Sequence, residues 1–230
     1  MPRRPRLVLP GTPLHIIQRG NNRQACFYAD NDYQLYLQWL EEYADKYGCL
    51  VHAYVLMTNH VHLLVTPEES KSSGLMMKHL GQRYVQYINR TYRRSGTLWE
   101  GRYKSCIAQD ETYVLGCYRY IELNPVRAAM VSHPAQYCWS SYRVNAQSEI
   151  STLITKHDQY MRLAFDSKSR AERYRELFRY QLSPGLVDEI RAATNGNFAL
   201  GSGRFKDEVS TMLKRRVVRG QPGRPLNDRS

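Results

Sequence analysis

The segment Asn59-His60-Val61-His62-Leu63-Leu64-Val65 decides the reading of this chain. It is apolar enough to be a strand, and side chains on a strand alternate between two faces. His60 and His62 therefore project together while Val61 points the other way. Imidazole is the commonest protein metal ligand, so a same-face pair two residues apart can give one divalent ion two donors. The competing account is structural, because a His-x-His pair holds a metal only when a further ligand arrives. His15 and His52 fall on other expected strands, where a structural role is preferred.

Working outward, residues 49–57 form a hairpin with 60–66 through Thr58-Asn59. An earlier strand, 14–19, stops at the turn-forming Gly20-Asn21-Asn22. Between them the stripe Leu35, Trp39, Leu40, Tyr43 predicts a helix over 32–47, with Gly48 as its C-terminal cap. A second helix is expected over 74–92, with Leu80, Tyr84, Tyr87 and Ile88 inward and Gly96 ending it. A strand over 98–108 and a third helix N-capped by Asp110 follow, the latter carrying Tyr113, Cys117, Tyr120 and Asn124. Strand-helix-strand-strand-helix-strand predicts an α+β fold, a ferredoxin-like antiparallel sheet covered by helices.

The composition shifts after residue 145. Residues 147–152 read as a linker, and helical patterns follow over 157–165, 169–182, 184–194 and 204–216. The last two are too far apart for a tight helix-turn-helix. The end is basic and rich in Gly and Pro, and flexibility is expected there. Two parts are thus expected: a domain over 1–145 and a helical, basic C-terminal extension over 146–230.

The chain has 230 residues, 42% of them hydrophobic, and a formal charge of +12. That charge favours a polyanionic partner, nucleic acid before others, because Lys and Arg neutralise phosphates and release counterions. A merely solvated basic surface is the plain alternative. No run approaches the ~20 apolar residues of a membrane span. No apolar segment follows Met1-Pro2-Arg3-Arg4-Pro5-Arg6, so no membrane partner and a cytoplasmic, nucleoid-associated location are expected. The cysteines are five, without a CxxC pair, which predicts buried, reduced thiols and argues against a structural zinc.

Tyr118-Arg119-Tyr120-Ile121-Glu122-Leu123-Asn124-Pro125 places a phenol and an amide one helical turn apart. Asn124 is a candidate third metal ligand, or simply the N-cap of a short helix opening at Pro125. A protonated phenol is a poor nucleophile, so attack on phosphorus requires a cation to offset developing charge. Two histidines and an amide oxygen, completed by water and phosphate, would admit Mg²⁺ or Mn²⁺. Tyr113, seven residues earlier on the same stripe, is the rival to Tyr120, while Tyr118 should face the core.

These residues together resemble the single-tyrosine HUH transposases, most closely the REP-associated tyrosine transposases with their IS200-like domain. The resemblance covers roughly the first 140 residues. It rests on Leu9-Pro10-Gly11, Gln18-Arg19-Gly20-Asn21-Asn22-Arg23-Gln24 and Asn59 to Val65, then on Gly96-Thr97-Leu98-Trp99-Glu100-Gly101-Arg102-Tyr103-Lys104-Ser105 and Tyr118 to Ala128. It implies a metal-dependent single-strand DNA nickase and strand-transferase, acting on hairpin-forming, REP-like palindromes. It assigns Tyr120 as nucleophile, forming a 5′-phosphotyrosine, and His60, His62 and Asn124 as ligands of Mg or Mn, with no nucleotide cofactor. Expected DNA contacts are Arg3, Arg4, Arg6, Arg19, Arg23, Arg102, Lys104, Arg215, Arg216 and Arg219. A monomer or a homodimer is compatible with it. One departure is Thr58, where proline commonly precedes Asn-His. The alternative from another class is a hairpin-binding regulatory protein with little or no cleavage.

Overall fold

The two histidines sit at the start of a strand in the interior of a five-stranded sheet. In the computed structural model, residues 6–220 are described, apart from the side chains of 110–112. The strands are β1 (Leu14–Arg19), β2 (Cys49–Met57), β3 (His60–Pro67), β4 (Lys104–Ala108) and β5 (Ala199–Leu200), in the spatial order β2-β3-β1-β4-β5. The first four pair antiparallel, as a ferredoxin-like chain requires. The helices are α1 (Asp30–Lys46), α2 (Ser72–Thr91), α3 (Asp110–Glu122), α4 (Asn124–Arg127), α5 (Tyr142–Ala146), α6 (Asp158–Met161), α7 (Ser167–Glu176), α8 (Pro184–Gly196) and α9 (Gly203–Leu213). The α+β, ferredoxin-like expectation is borne out. From β1 to α2, each element ends within two residues of its expected limits, and Gly48 takes the left-handed conformation (φ 61°) that turns α1 into β2.

Register explains how the sheet divides its work. On β1, Ile17 lies opposite His62 and Arg19 opposite His60, while His15 faces Cys106 of β4. Directly opposed residues share a face, so His15, Ile17, Arg19, His60 and His62 all project from one side. Leu14, Ile16, Val61, Leu63 and Val65 project from the other, into a core closed by Tyr36 and Leu40 of α1 and Leu80 and Tyr84 of α2. The histidine side is covered by Cys117, Tyr118 and Ile121 of α3 and by Ile190 and Ala193 of α8. Helices thus lie on both faces, and the site opens where polar residues interrupt the second core.

The orientation of α3 is fixed by a buried carboxylate. Glu122 accepts hydrogen bonds from Ser141 Oγ at 2.6 Å, Asn145 Nδ2 at 2.7 Å and Tyr174 Oη at 2.7 Å. Burial raises its pKa to about 7 against the pull of these donors and Lys156. A buried acceptor this well satisfied resists rotation, because any turn of α3 would leave it unpaired.

Several expectations need correction. The strand over 98–108 forms only from Lys104; Gly101, at φ 138°, breaks the run, and Trp99 keeps a single bridge to Gly20. Gln109, not Asp110, is the N-cap of α3, and its side chain accepts from Ser202 N instead. The patterns over 157–165 and 169–182 form helix only over Asp158–Met161 and Ser167–Glu176, and 204–216 stops at Leu213. Cys138 is exposed, unlike the other four cysteines. The region beyond 146 is not only helical: β5 joins the sheet parallel to β4. The described part of its tail is held as well, since Ala199 N donates to Val217 O at 2.8 Å and Val217 is buried, while 221–230 lie outside the described residues.

Candidate active site

β3 presents His60 and His62, and α3 lays Tyr120 across them. The Tyr120 ring stands edge-on to His62, centroids 5.7 Å apart, and to His15 at 5.5 Å. His60 and His62 are 5.1 Å apart with their planes nearly perpendicular. These residues share a cavity of about 290 Å³ with Arg19, Asn124 and Arg127. Tyr113 lies elsewhere, its hydroxyl 3.4 Å from Glu189, and Tyr118 is fully buried as expected.

Hydrogen bonds fix which atoms remain open. Asn59 Nδ2 donates to Arg23 O at 3.0 Å, which orients its amide. Its Oδ1 then accepts from His60 Nδ1 at 2.6 Å, leaving the lone pair on Nε2. His62 Nδ1 is 2.8 Å from His15 Nε2. Asn124 does not cap α4 by its side chain. Pro125 has no N–H for the carbonyl of Ile121, and Asn124 Nδ2 supplies one at 3.2 Å, with a second bond to Tyr120 O at 2.9 Å. Asn124 Oδ1 is left over. Among the described residues, it and the Nε2 atoms of His60 and His62 have no hydrogen-bond partner.

Two imidazole nitrogens and an amide oxygen fit a divalent cation such as Mg²⁺ or Mn²⁺. Burial, with Arg19 beside it, lowers His60 to about 4. Burial and the neighbouring His15 hold His62 well below its usual value. Both rings are therefore neutral near pH 7, as metal ligation requires. Among the described side chains no Asp or Glu lines the cavity, whereas Arg19, Arg127 and Arg191 do. Such a site suits a phosphate more than a cation held by carboxylates.

A second cavity of about 280 Å³ adjoins the first and shares Ile17, Arg19 and Asn195 with it. Arg6, Arg102 and Lys104 line it. The Arg6 guanidinium lies 3.5 Å over the Tyr103 ring, and its Nε donates to Tyr103 O at 2.9 Å. The structure thus brings Arg6, Arg19, Arg102 and Lys104 beside the Tyr120 cavity. Of the others, Arg215 Nη1 lies 3.5 Å from the Arg6 carbonyl, Arg23 is exposed on a 3₁₀ turn (Asn21–Arg23), Arg216 is exposed and lines neither cavity, and Arg219 lines a third cavity beside α8 that shares Asn195 with both. Arg3 and Arg4 lie outside the described residues.

Sequence reasoning missed His15, Arg127, Arg191, Thr194 and Asn195. Two left a local signal. His15 has the same strand parity as Arg19, and Arg127 follows Tyr120 by seven residues, close to two helical turns. Arg191, Thr194 and Asn195 arrive through α8, a long-range packing no local pattern reveals.

Residues 10–124 match the model of the family described as transposase IS200 like. A search of curated proteins finds no match. Among solved structures, the fold is similar to a REP-associated tyrosine transposase bound to a REP hairpin, with TM-score 0.56 and 14% identity, over 69% of this chain and 93% of that one. A candidate transposase from Deinococcus radiodurans R1 is 20% identical over 53% of this chain and 96% of its own, with TM-score 0.37. With the family model spanning half of its length, the chain belongs to the IS200-like transposases.

Proposed function

We propose that this transposase nicks and rejoins single-stranded DNA at hairpin-forming palindromes, with Tyr120 as nucleophile and His60, His62 and Asn124 as ligands of Mg²⁺ or Mn²⁺. The observation that carries this reading is that Tyr120, His60, His62 and Asn124 share an arginine-lined cavity with no carboxylate among the described side chains. The lack of a carboxylate-rich cluster among the described side chains speaks against a metal phosphodiesterase that uses water.

In the forward step Tyr120 Oη loses its proton and bonds to phosphorus, and the bond from phosphorus to the 3′ oxygen breaks. The products are a 5′-phosphotyrosine and a 3′-OH that takes up a proton. The reverse step uses a 3′-OH to displace Tyr120, so the phosphodiester is conserved and no nucleotide is consumed. When bound, the metal polarises the scissile phosphate and offsets charge on its oxygens. Arg127 and Arg19 add fixed positive charge on the same cavity. The adjoining groove of Arg6, Arg102 and Lys104 is the path assigned to the flanking strand. We retain residues 1–145 as the catalytic domain and 146–230 as its extension.

The test is a denaturing gel of end-labelled hairpins, taken from palindromes beside the protein's own gene, with and without Mg²⁺ or Mn²⁺. A metal-dependent covalent adduct is expected. Tight hairpin binding with no adduct in either metal would instead indicate a regulatory DNA-binding protein. RNA hairpins of the same sequence separate the two nucleic acids.

A further inference from the structure

Behind His62 a chain of hydrogen bonds runs out of the sheet and into the C-terminal region. His62 Nδ1 lies 2.8 Å from His15 Nε2, the two rings stacked with centroids 5.0 Å apart. His15 Nδ1 lies 2.9 Å from Thr194 Oγ1, and Thr194 Oγ1 donates to Ile190 O at 2.7 Å. Cys106 Sγ is 3.2 Å from the same hydroxyl. His15, His62 and Thr194 are each 3% exposed or less.

With the Thr194 hydroxyl hydrogen placed on the Ile190 carbonyl, the shortest of that oxygen's contacts at 2.7 Å against 2.9 Å to His15 and 3.2 Å to Cys106, the chain has one neutral proton assignment. A hydroxyl has a single hydrogen, and that of Thr194 is committed to the Ile190 carbonyl. Thr194 Oγ1 therefore accepts from His15, which places the His15 proton on Nδ1. A neutral His15 then has only a lone pair on Nε2, so His62 Nδ1 must donate to it. The charged alternative would bury an imidazolium whose hydrogen-bond partners, Thr194 and His62, carry no negative charge. Nothing there compensates the desolvation cost.

We infer that Thr194 and His15 are positioning residues that hold His62 as its Nδ1–H tautomer, so that its Nε2 lone pair is always open and α8 completes the site. This rests on the reading of His62 as a metal ligand. Asn59 does the same for His60 through one bond, so both imidazoles present the same ring atom. Outer-sphere partners of this kind fix tautomer and ring orientation, and removing one typically costs ten- to a hundredfold in metal affinity. The helix α8 also lines the cavity with Arg191 and Asn195, so the tautomer is added to the charge and polarity it brings to the cleavage site.

The decisive measurement is long-range ¹H–¹⁵N correlation of the His62 ring in the metal-free full-length protein, with Mn²⁺ titration in parallel. In the wild-type protein His62 should carry its proton on Nδ1. Thr194→Val removes the acceptor while keeping the shape. It should shift part of the His62 population to Nε2–H and weaken Mn²⁺ binding about ten- to a hundredfold. Thr194→Ser should restore both. An Nε2–H wild-type His62 overturns the inference without any variant, as does a folded Thr194→Val whose His62 signals do not move. If His62 is Nδ1–H and shifts in Thr194→Val but Mn²⁺ never binds, the relay stands and the metal reading fails.

Discussion

The guanidinium of Arg127 lies 4.2 Å over the ring of Tyr120, and its Nη2 donates to the Tyr120 carbonyl at 2.7 Å. One side chain thus holds the end of α3 and places a positive charge beside the phenol. Arg127→Ala should lower adduct formation about a hundredfold, the typical loss when one preorganised donor to a developing charge is removed. Arg127→Lys should fall between, because it keeps charge but loses the planar stack. Single-turnover cleavage rates check this; an Arg127→Ala enzyme at wild-type rate would show that the contact only supports the helix.

For the ligand set, His60→Ala or His62→Ala should abolish cleavage in Mg²⁺ and Mn²⁺ while hairpin binding survives, since backbone contacts elsewhere set affinity. Asn124→Ala should be intermediate, because water can replace one neutral oxygen. It should also lower stability by about 1 kcal/mol, since the Tyr120 and Ile121 carbonyls each lose the amide donor of Asn124. Cleavage by a His60→Ala/His62→Ala double variant in excess chelator would contradict the ligand assignment.

Along the groove, Arg6→Ala, Arg102→Ala and Lys104→Ala should each weaken binding to all sequences alike. Each should flatten the plot of log affinity against log salt by about 0.7 per lost single-strand phosphate contact. Arg23→Ala and Arg216→Ala, exposed and away from both cavities, should leave the slope unchanged. An unaltered slope in all five variants would place the strand on another face.

Stability should respond to pH through two buried groups of opposite sign. His52 donates from Nδ1 to Thr155 O at 2.7 Å and accepts at Nε2 from Thr66 Oγ1 at 2.8 Å. Burial lowers it to about 4 in spite of the Thr155 bond, with His157 lowering and Asp158 raising it. The unfolded chain protonates this imidazole near 6.5 and the folded one does not, so its contribution is lost as pH falls from 6.5 towards 4. Glu122, raised to about 7, contributes in the opposite sense: its stability is present at low pH and lost as pH rises from about 4.5 to 7. Between pH 7 and pH 5 the destabilisation caused by His52→Gln should shrink by about 2 kcal/mol, and that caused by Glu122→Gln should grow. Urea midpoints at the two pH values check both signs. A His52→Gln penalty independent of pH would mean that the ring titrates normally.

The fold was legible because its elements have clean periods. The hairpin 49–66 and the strand 14–19 alternate, and α1 and α2 have single apolar stripes bounded by Gly48 and Gly96. His60 and His62 were legible as a same-face strand pair and Tyr120 and Asn124 as neighbours one helical turn apart, while the family resemblance joined the two pairs. The rest depended on contacts across the chain. Nothing local in Ala199-Leu200 marks a strand of two residues, whose pairing partner β4 lies some ninety residues earlier. Thr194 looks like any residue near a helix end until His15 is found 179 positions away in sequence. His15 itself reads as structural, because its polar partners come from β3 and α8. Trp99 to Tyr103 reads as strand by composition, and only the positive φ of Gly101 turns it into groove wall.

The central claim is that Tyr120 becomes joined to DNA, and peptide mapping of the adduct tests it most directly. Protein trapped on labelled hairpin DNA in Mn²⁺ would be digested and the phosphotyrosine located by mass spectrometry. The nucleotide should map to the peptide containing Tyr120. Tyr120→Phe removes one oxygen from a ring already packed against His15, His62 and Arg127, so folding and hairpin binding should persist while no adduct forms. Tyr113→Phe, whose hydroxyl faces Glu189, should still form it. An adduct on any other tyrosine, or an active Tyr120→Phe enzyme, would contradict the account.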